Sequence, residues 1–327
     1  MKVIIPLAGK GTRLLPLTKS VPKPLIRVAG RPVMDYVMDE VAQLDVEELI
    51  IITGHLKEKV EQHIRTHYPF PARFIEQKVQ DGTASAIDLA RPYVNGPILI
   101  IFVDTLFDAD LGMIPRVDAD GIIWVKEVED YQRFGVVVTD ERGYMKRIVE
   151  KPSEPISKLA NIGLYYIRDW KTLFDGITWT RGRPPVKGEY FLTDAFQYMV
   201  DHGKKLLAAP VGGWYDCGKV ETVLETNRHL LENGGARRPQ PRAQVRVLEP
   251  VYVADNVELE DCTIGPNVSI DAGSVIKTSV LRDTIVGDGA KIIGSTIVNS
   301  MVGDDSEVIG QKLSSMIVAG DEVAKAP

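Results

Sequence analysis

Gly9, Gly11, Arg13 and Lys23, in the N-terminal stretch LAGKGTRLLPLTKSVPKPL, have the types and spacing to hold phosphate. Glycines at a strand end let backbone N–H groups approach phosphate oxygens, and an arginine and a lysine can add positive charge along an extended triphosphate. Pro22 and Pro24 flank Lys23 and stiffen its backbone. The stretch fits neither common nucleotide fingerprint. Leu14 stands where the third glycine of G-x-G-x-x-G belongs, and no glycine lies upstream of Gly9 to make a Walker loop. Lys10 suits either a phosphate contact or a solvated charge, and Lys19 is read as the latter. Asp104, at the end of the apolar run PILIIFVD, needs a partner such as a metal ion or a helix N-cap.

Such residues need a framework that brings strand ends together. At 327 residues the chain can hold two domains and bury a sizeable core. Cys217 and Cys262 lie far apart without C-x-x-C spacing, which argues against a disulfide framework or a cysteine zinc site and for a reducing cytoplasm. The first apolar run, VIIPLA, is too short for a signal segment or a membrane span, so a soluble protein is expected. Lys+Arg number 39 against 45 Asp+Glu, a formal charge of -6, and the basic residues are dispersed. That balance argues against a nucleic-acid partner and permits a local basic pocket.

VIIPLA, ELIIITG and PILIIFVD are continuous apolar runs of the kind found in parallel strands buried on both faces. Between them PVMDYVMDEVAQLD and TASAIDLARPYV have helical spacing, which predicts a doubly wound α/β arrangement. Ligands in such sheets collect at the carboxyl ends of strands, where the glycine stretch and Asp104 both fall. Residues 233–244, NGGARRPQPRAQ, read as a linker. Beyond it VADNV, IGPNV, IDAGS, VGDGA and VGDDS share one form, and Ile270, Val286 and Val302 follow one another at a spacing of 16. Repeats of about six residues in triplets imply a parallel β-helix whose aliphatic residues stack coil on coil. Hexapeptide helices often carry acyl transfer with a histidine base, yet His55, His63, His67, His202 and His229 all precede the linker. This half is expected instead to assemble a trimer or tetramer, or to hold a regulatory surface.

The N-terminal stretch closely resembles the signature of the sugar-1-phosphate nucleotidylyltransferases, also called NDP-sugar pyrophosphorylases. The resemblance continues in order along nearly the whole first half. The repeats match the longer thymidylyltransferase-like and bifunctional uridylyltransferase-like members, and the whole pattern is most similar to the long glucose-1-phosphate thymidylyltransferase-like ones, which end in a left-handed β-helix. The resemblance implies a Rossmann-like mixed, mainly parallel α/β sheet as a catalytic domain over residues 1–235, then a linker and left-handed parallel β-helix over 236–327. It implies roles as well. Leu7, Ala8, Gly9, Gly11, Thr12 and Arg13 would bind the nucleotide, while Gln77 and Gly82 of QKVQDGTASA would read a pyrimidine. An amide donates and accepts at once, which suits the imide edge of uracil or thymine. On the sugar side, Gly135 of RFGVV, Glu150 and Lys151 of VEKP and Asn161 of ANIGLYYI would hold the sugar phosphate. Asp104 and Asp216 would bind Mg2+, which takes oxygen ligands and leaves room for phosphates and water. Val103 departs from the glycine usual before that first aspartate. GEYFLTDAF matches a further family segment, in which Glu189 and Asp194 suit a structural role equally well.

The implied reaction joins a nucleoside triphosphate to a sugar 1-phosphate and releases diphosphate, with dTTP or UTP and glucose 1-phosphate as the expected substrates. Both reacting oxygens are already ionised, so alignment and charge are expected to outweigh acid-base chemistry. Arg13 would hold the departing diphosphate, Lys23 the α-phosphate and Lys151 the nucleophile. A cytoplasmic homo-oligomer with no nucleic-acid or membrane partner is expected. One alternative is a non-catalytic sugar-nucleotide-binding regulatory subunit, which the presence of Arg13, Lys23 and both aspartates opposes. Another is a UTP:N-acetylglucosamine-1-phosphate uridylyltransferase, suggested by Gly82-Thr83-Ala84.

Overall fold

The computed structural model describes residues 1–326, which divide into two compact units. Residues 1–9 and 37–214 form the first, and residues 10–36 join those from 215 onward in the second.

The first unit is built on a nine-stranded mixed sheet. Its parallel part consists of β1 (Lys2–Pro6), β2 (Glu48–Thr53), β3 (Ala72–Glu76) and β4 (Ile98–Ile101). β1 lies between β2 and β4, and the interiors of all three are buried. Coverage of both faces is why these strands are apolar without alternation. β5 (Gly121–Glu127), β6 (Gly135–Thr139), β7 (Met145–Glu150), β8 (Leu159–Ile167) and β9 (Leu206–Pro210) complete the sheet. β8 runs antiparallel to β4, β5 and β6, and β9 parallel to β5. Helices Trp170–Arg181 and Leu192–Asp201 press Leu173, Phe174, Phe196 and Met199 into the core that also holds Ile4, Ile50 and Ile100. The helical spacing in TASAIDLARPYV yields a helix only over Thr83–Asp88, followed by a 3-10 turn at Arg91–Tyr93. Pro92 lacks the N–H that would donate to Asp88 O, so the α-helical ladder cannot run on through it and the chain continues as a 3-10 turn that Arg91 opens.

β8 carries a register irregularity between Asn161 and Tyr165. Asn161 faces Val125 and Tyr165 faces Ile123, so four residues of β8 span two of β5. Gly163 takes φ 81° within this bulge, a conformation that costs glycine little.

In the second unit the expected repeats form three parallel sheets of short strands, the faces of a left-handed β-helix. Ile270 pairs with Val286 and Val286 with Val302, as the 16-residue spacing requires. Ile264, Val268, Ile276, Val286, Ile292, Ile297 and Val302 stack inside as its core. Ser279 Oγ accepts from Ser295 N and Ser295 Oγ from Gln311 N, each at 3.0 Å, so the corner serines satisfy the backbone of the next coil. Glu322–Lys325 folds back antiparallel on Met316–Ala319 after the last coil. The linker lies along the first coil, where Arg237 N donates to Val251 O at 2.7 Å and Val253 N to Arg237 O at 2.9 Å.

Candidate functional site

In the first unit Leu7, Ala8, Gln77 and Asp104 follow the carboxyl ends of β1, β3 and β4, Glu150 ends β7, Gly135 opens β6 and Asn161 lies within β8. Leu7 and Ala8, just past β1, are buried, and Gly9 is exposed. Gln80 Nε2 donates to Ala8 O at 2.6 Å, and a Cβ on Gly54 would stand 2.6 Å from the same oxygen. Gly54 is thus what lets the turn after β2 approach this stretch. Gln77 is 8% exposed, receives its placement from Gln77 N donating to Thr53 O at 2.8 Å, and donates through Nε2 to Gly82 O at 3.3 Å. Gly82 has φ 121°, and a Cβ there would lie 2.4 Å from Tyr190 O. Tyr190 N donates to Asp81 O at 2.8 Å and Ala84 N to Tyr190 O at 2.9 Å. GEYFLTDAF therefore buttresses the turn that carries Gln77 and Gly82.

A second cluster joins β6, β7 and β8. Asn161 Nδ2 donates to Gly135 O at 2.8 Å, and a Cβ on Gly135 would meet Asn161 Nδ2 at 2.2 Å and Glu150 Oε2 at 2.9 Å. Thr193 Oγ1 donates to Glu150 Oε2 at 3.2 Å. Burial pushes the Glu150 carboxyl above the usual carboxylate range, while Lys151 and the Thr193 hydroxyl act in the opposite direction. Lys151 follows at φ 44°, a left-handed conformation rare for lysine, with Nζ 3.8 Å from Glu150 and 5.1 Å from the Phe191 ring centroid. The strain is held by Lys151 N donating to Phe134 O at 2.9 Å. Lys151 and Asn161 thus frame one carboxylate with an ammonium and an amide, a set able to bind hydroxyls and an anion together.

Asp104 is half-buried past β4. Its neighbours are tied to the bulge of β8, since Phe102 N donates to Gly163 O at 2.9 Å and Thr105 Oγ1 to Ile162 O at 3.4 Å. Val103, the departure from the family pattern, is 3% exposed and packs as a core residue.

The second unit carries the rest. Gly11 takes φ 63°, and a Cβ there would meet Thr18 Cγ2 at 2.9 Å and Lys23 Cβ at 3.3 Å. Thr18 Oγ1 closes the loop onto Gly11 O at 3.0 Å. Thr12–Leu14 is a single 3-10 turn that buries Leu14 completely and leaves Thr12 and Arg13 exposed. Lys23 is half-buried at the start of the turn Lys23–Leu25. Asp216 Oδ1 accepts from Gly218 N at 2.8 Å and Oδ2 from Thr222 Oγ1 at 3.4 Å, which orients the carboxylate at the start of helix Val220–Leu230. Segment 10–36 is tied both to the β-helix and to helix Val220–Leu230 of its own unit. Arg27 lies 3.2 Å from Asp288, Ala29 N donates to Asn227 Oδ1 at 2.8 Å, and Lys19, read as solvated, pairs with Glu322 at 2.6 Å. Arg27 also lies 3.9 Å from Asp271, whose carboxyl burial pushes up to about 7.

Sequence reasoning passed over Gly54, Tyr165, Tyr190 and Thr193. Thr193 and Tyr190 lie in a segment already singled out, and a glycine after a strand is a visible signal for Gly54. Tyr165 gave none, because its place depends on the bulge.

Residues 2–233 match the nucleotidyl transferase family. The bifunctional protein GlmU of Methanococcus aeolicus is 35% identical over 233 residues, 71% of this chain and 55% of its own length. The chain thus spans about half the length of that relative. A glucose-1-phosphate thymidylyltransferase of Streptomyces antibioticus is 28% identical over 312 residues, 90% of this chain and 85% of its own. Among solved structures, a UDP-glucose pyrophosphorylase bound to UDP-glucose superposes with a TM-score of 0.64 at 26% identity, covering 71% of this chain and 98% of that one.

Proposed function

The chain belongs to the nucleotidyl transferase family, and from that premise we propose that it joins a pyrimidine nucleoside triphosphate to a sugar 1-phosphate and releases diphosphate. dTTP or UTP with glucose 1-phosphate is the pair we assign. The observation that carries this reading is the cluster of Gly135, Glu150, Lys151 and Asn161, which sets a hydroxyl acceptor, a phosphate cation and an amide side by side. Names of relatives support it, since a thymidylyltransferase and a UDP-glucose pyrophosphorylase both act on glucose derivatives.

The residues divide the work. Gln77 gives one N–H to Gly82 O, and its carbonyl and second N–H suit the imide edge of a pyrimidine. Gly9 and Gly11 offer backbone N–H groups to the triphosphate, and Arg13 and Lys23 neutralise its charge. Glu150 accepts sugar hydroxyls while Lys151 holds the sugar phosphate, whose oxygen attacks the α-phosphorus as the bond to diphosphate breaks. No covalent intermediate or proton transfer is needed. Asp104 and Asp216 suit Mg2+ by their chemistry as oxygen donors, and among the described residues no three acidic, histidine or cysteine side chains could hold a metal by themselves. Magnesium at these carboxylates would supply charge neutralisation to the triphosphate.

We assign residues 1–235 as the catalytic domain and 236–327 as linker and β-helix, a division supported by the family match over residues 2–233. A cytoplasmic trimer or tetramer assembled through the β-helix completes the proposal. Among the described residues no helix is long and apolar enough to cross a membrane. Diphosphate release measured over a matrix of five nucleoside triphosphates and several sugar 1-phosphates, with and without Mg2+, tests the whole reading. Turnover strongest with dTTP or UTP and glucose 1-phosphate is expected. Preference for UTP with N-acetylglucosamine 1-phosphate replaces the sugar assignment, and nucleotide binding without turnover on any pair marks a regulatory subunit instead.

A further inference from the structure

Tyr165 is 4% exposed, and its ring packs against Phe196 and Phe102 with centroids 4.7 and 6.3 Å away. Phenylalanine would fill that space equally well, so the hydroxyl calls for a reason of its own. A buried hydroxyl is costly unless it is hydrogen-bonded, and this one donates to Asn161 Oδ1. In a regular strand the Cα atoms of residues four apart are about 13 Å from each other, too far for this contact to form readily. The β8 bulge compresses that interval, because residues 161 and 165 oppose Val125 and Ile123, only two positions apart on β5. Asn161 is thereby held at both ends of its amide, through Oδ1 by Tyr165 and through Nδ2 by Gly135 O at 2.8 Å.

We propose that Tyr165 is a positioning residue for sugar recognition: its hydroxyl locks the Asn161 amide so that the second Nδ2 hydrogen, the one not given to Gly135, is presented to a sugar oxygen beside Glu150. This rests on the reading of Asn161 and Glu150 as sugar-side residues. An Asn side chain is nearly symmetric in shape, and only its partners decide where oxygen and nitrogen point. With Tyr165 on the oxygen and Gly135 on the nitrogen, the amide has one hydrogen-bonded orientation. Glu150 can then only accept and Asn161 donates next to it, so a sugar must offer a hydroxyl hydrogen and an oxygen in matching order. The same bulge supplies the carbonyls of Ile162 and Gly163 that hold Thr105 and Phe102 on either side of Asp104. One irregularity in β8 therefore sets both the amide and the flanks of that aspartate.

The test is a double-mutant cycle on Tyr165→Phe and Asn161→Ala, with KM measured separately for glucose 1-phosphate and for UTP or dTTP, whichever supports turnover. Tyr165→Phe keeps the ring and is expected to raise the sugar KM about fivefold to tenfold, leaving the nucleotide KM within about twofold and the melting temperature close to that of the parent. In the Asn161→Ala background the same change is expected to have no further effect on the sugar KM, because the group it positions is gone. A normal sugar KM in Tyr165→Phe beside a raised one in Asn161→Ala overturns the role of Tyr165 and spares the sugar-side reading. An undiminished Tyr165→Phe effect in the Asn161→Ala background, or equal losses on both substrates with a lowered melting temperature, shows a merely structural hydroxyl and overturns it as well. If Asn161→Ala alone leaves the sugar KM unchanged, the sugar-side reading falls and the proposal falls with it.

Discussion

Gly135→Ala separates space from backbone strain at the candidate sugar cluster. Gly135 lies in β6, outside the positive-φ glycines, so alanine meets no conformational penalty there. The added Cβ would stand 2.2 Å from Asn161 Nδ2, 2.8 Å from Thr193 Cγ2 and 2.9 Å from Glu150 Oε2. Comfortable contacts begin near about 3.5 Å, so the amide must retreat by roughly 1 Å and the carboxylate and Thr193 must also give way. Overpacking of this kind costs about 1–3 kcal/mol. Each of the two hydrogen bonds at risk, Asn161 to Gly135 and Thr193 to Glu150, is worth about 1 kcal/mol. If most of that falls on sugar binding, the loss is about 2–4 kcal/mol, or roughly thirtyfold to a thousandfold in kcat/KM. The assay is diphosphate release at saturating nucleotide with glucose 1-phosphate varied. Gly96→Ala, where an added Cβ has nothing within 4 Å, serves as the control. A Gly135→Ala enzyme within threefold of the parent would refute the placement of the sugar beside Gly135, Glu150 and Asn161.

Three other outcomes are expected. Arg13→Ala should lower turnover at least about tenfold through lost charge stabilisation, with the melting temperature unchanged because Leu14 rather than Arg13 anchors the turn; parent-like turnover rules out Arg13 as a phosphate ligand. Gly82→Ala should destabilise by about 2 kcal/mol or more in denaturant titration, since φ 121° and Tyr190 O at 2.4 Å both oppose a side chain; an unchanged midpoint contradicts the buttressing role of Tyr190. The Asp271 carboxyl, raised chiefly by burial to about 7, favours its neutral form in the folded chain. The unfolded carboxyl ionises first as pH rises, so this contribution to stability is full below about pH 4 and is lost between there and about pH 7, with an upper bound of about 4 kcal/mol. Denaturant midpoints over that range should therefore fall more steeply for the parent than for Asp271→Asn, and parallel curves refute the burial argument.

Much of this molecule is legible in order. Continuous apolar runs gave away β1, β2 and β4 because strands buried on both faces have no polar positions to alternate. The 16-residue steps from Ile270 to Val286 to Val302 were enough for the β-helix, since each coil must stack like on like. Leu14 in place of a third glycine was informative too, for it is the buried anchor beneath an exposed Arg13. Helix length was less legible: Pro92 ended early what periodicity alone extended.

What the sequence by itself determined is therefore the local backbone and the repeat, both of which follow from short-range sterics and periodic burial. The tertiary structure alone decided that residues 10–36 associate with the β-helix and with helix Val220–Leu230, through Arg27 with Asp288 and Ala29 with Asn227, partners 261 and 198 positions apart. It alone brought Tyr165 to Asn161, through a bulge that Gly163 permits and whose register is seen only in the pairing with the facing strand. Both contacts depend on how separate elements are aligned, and no periodicity within either element specifies that alignment.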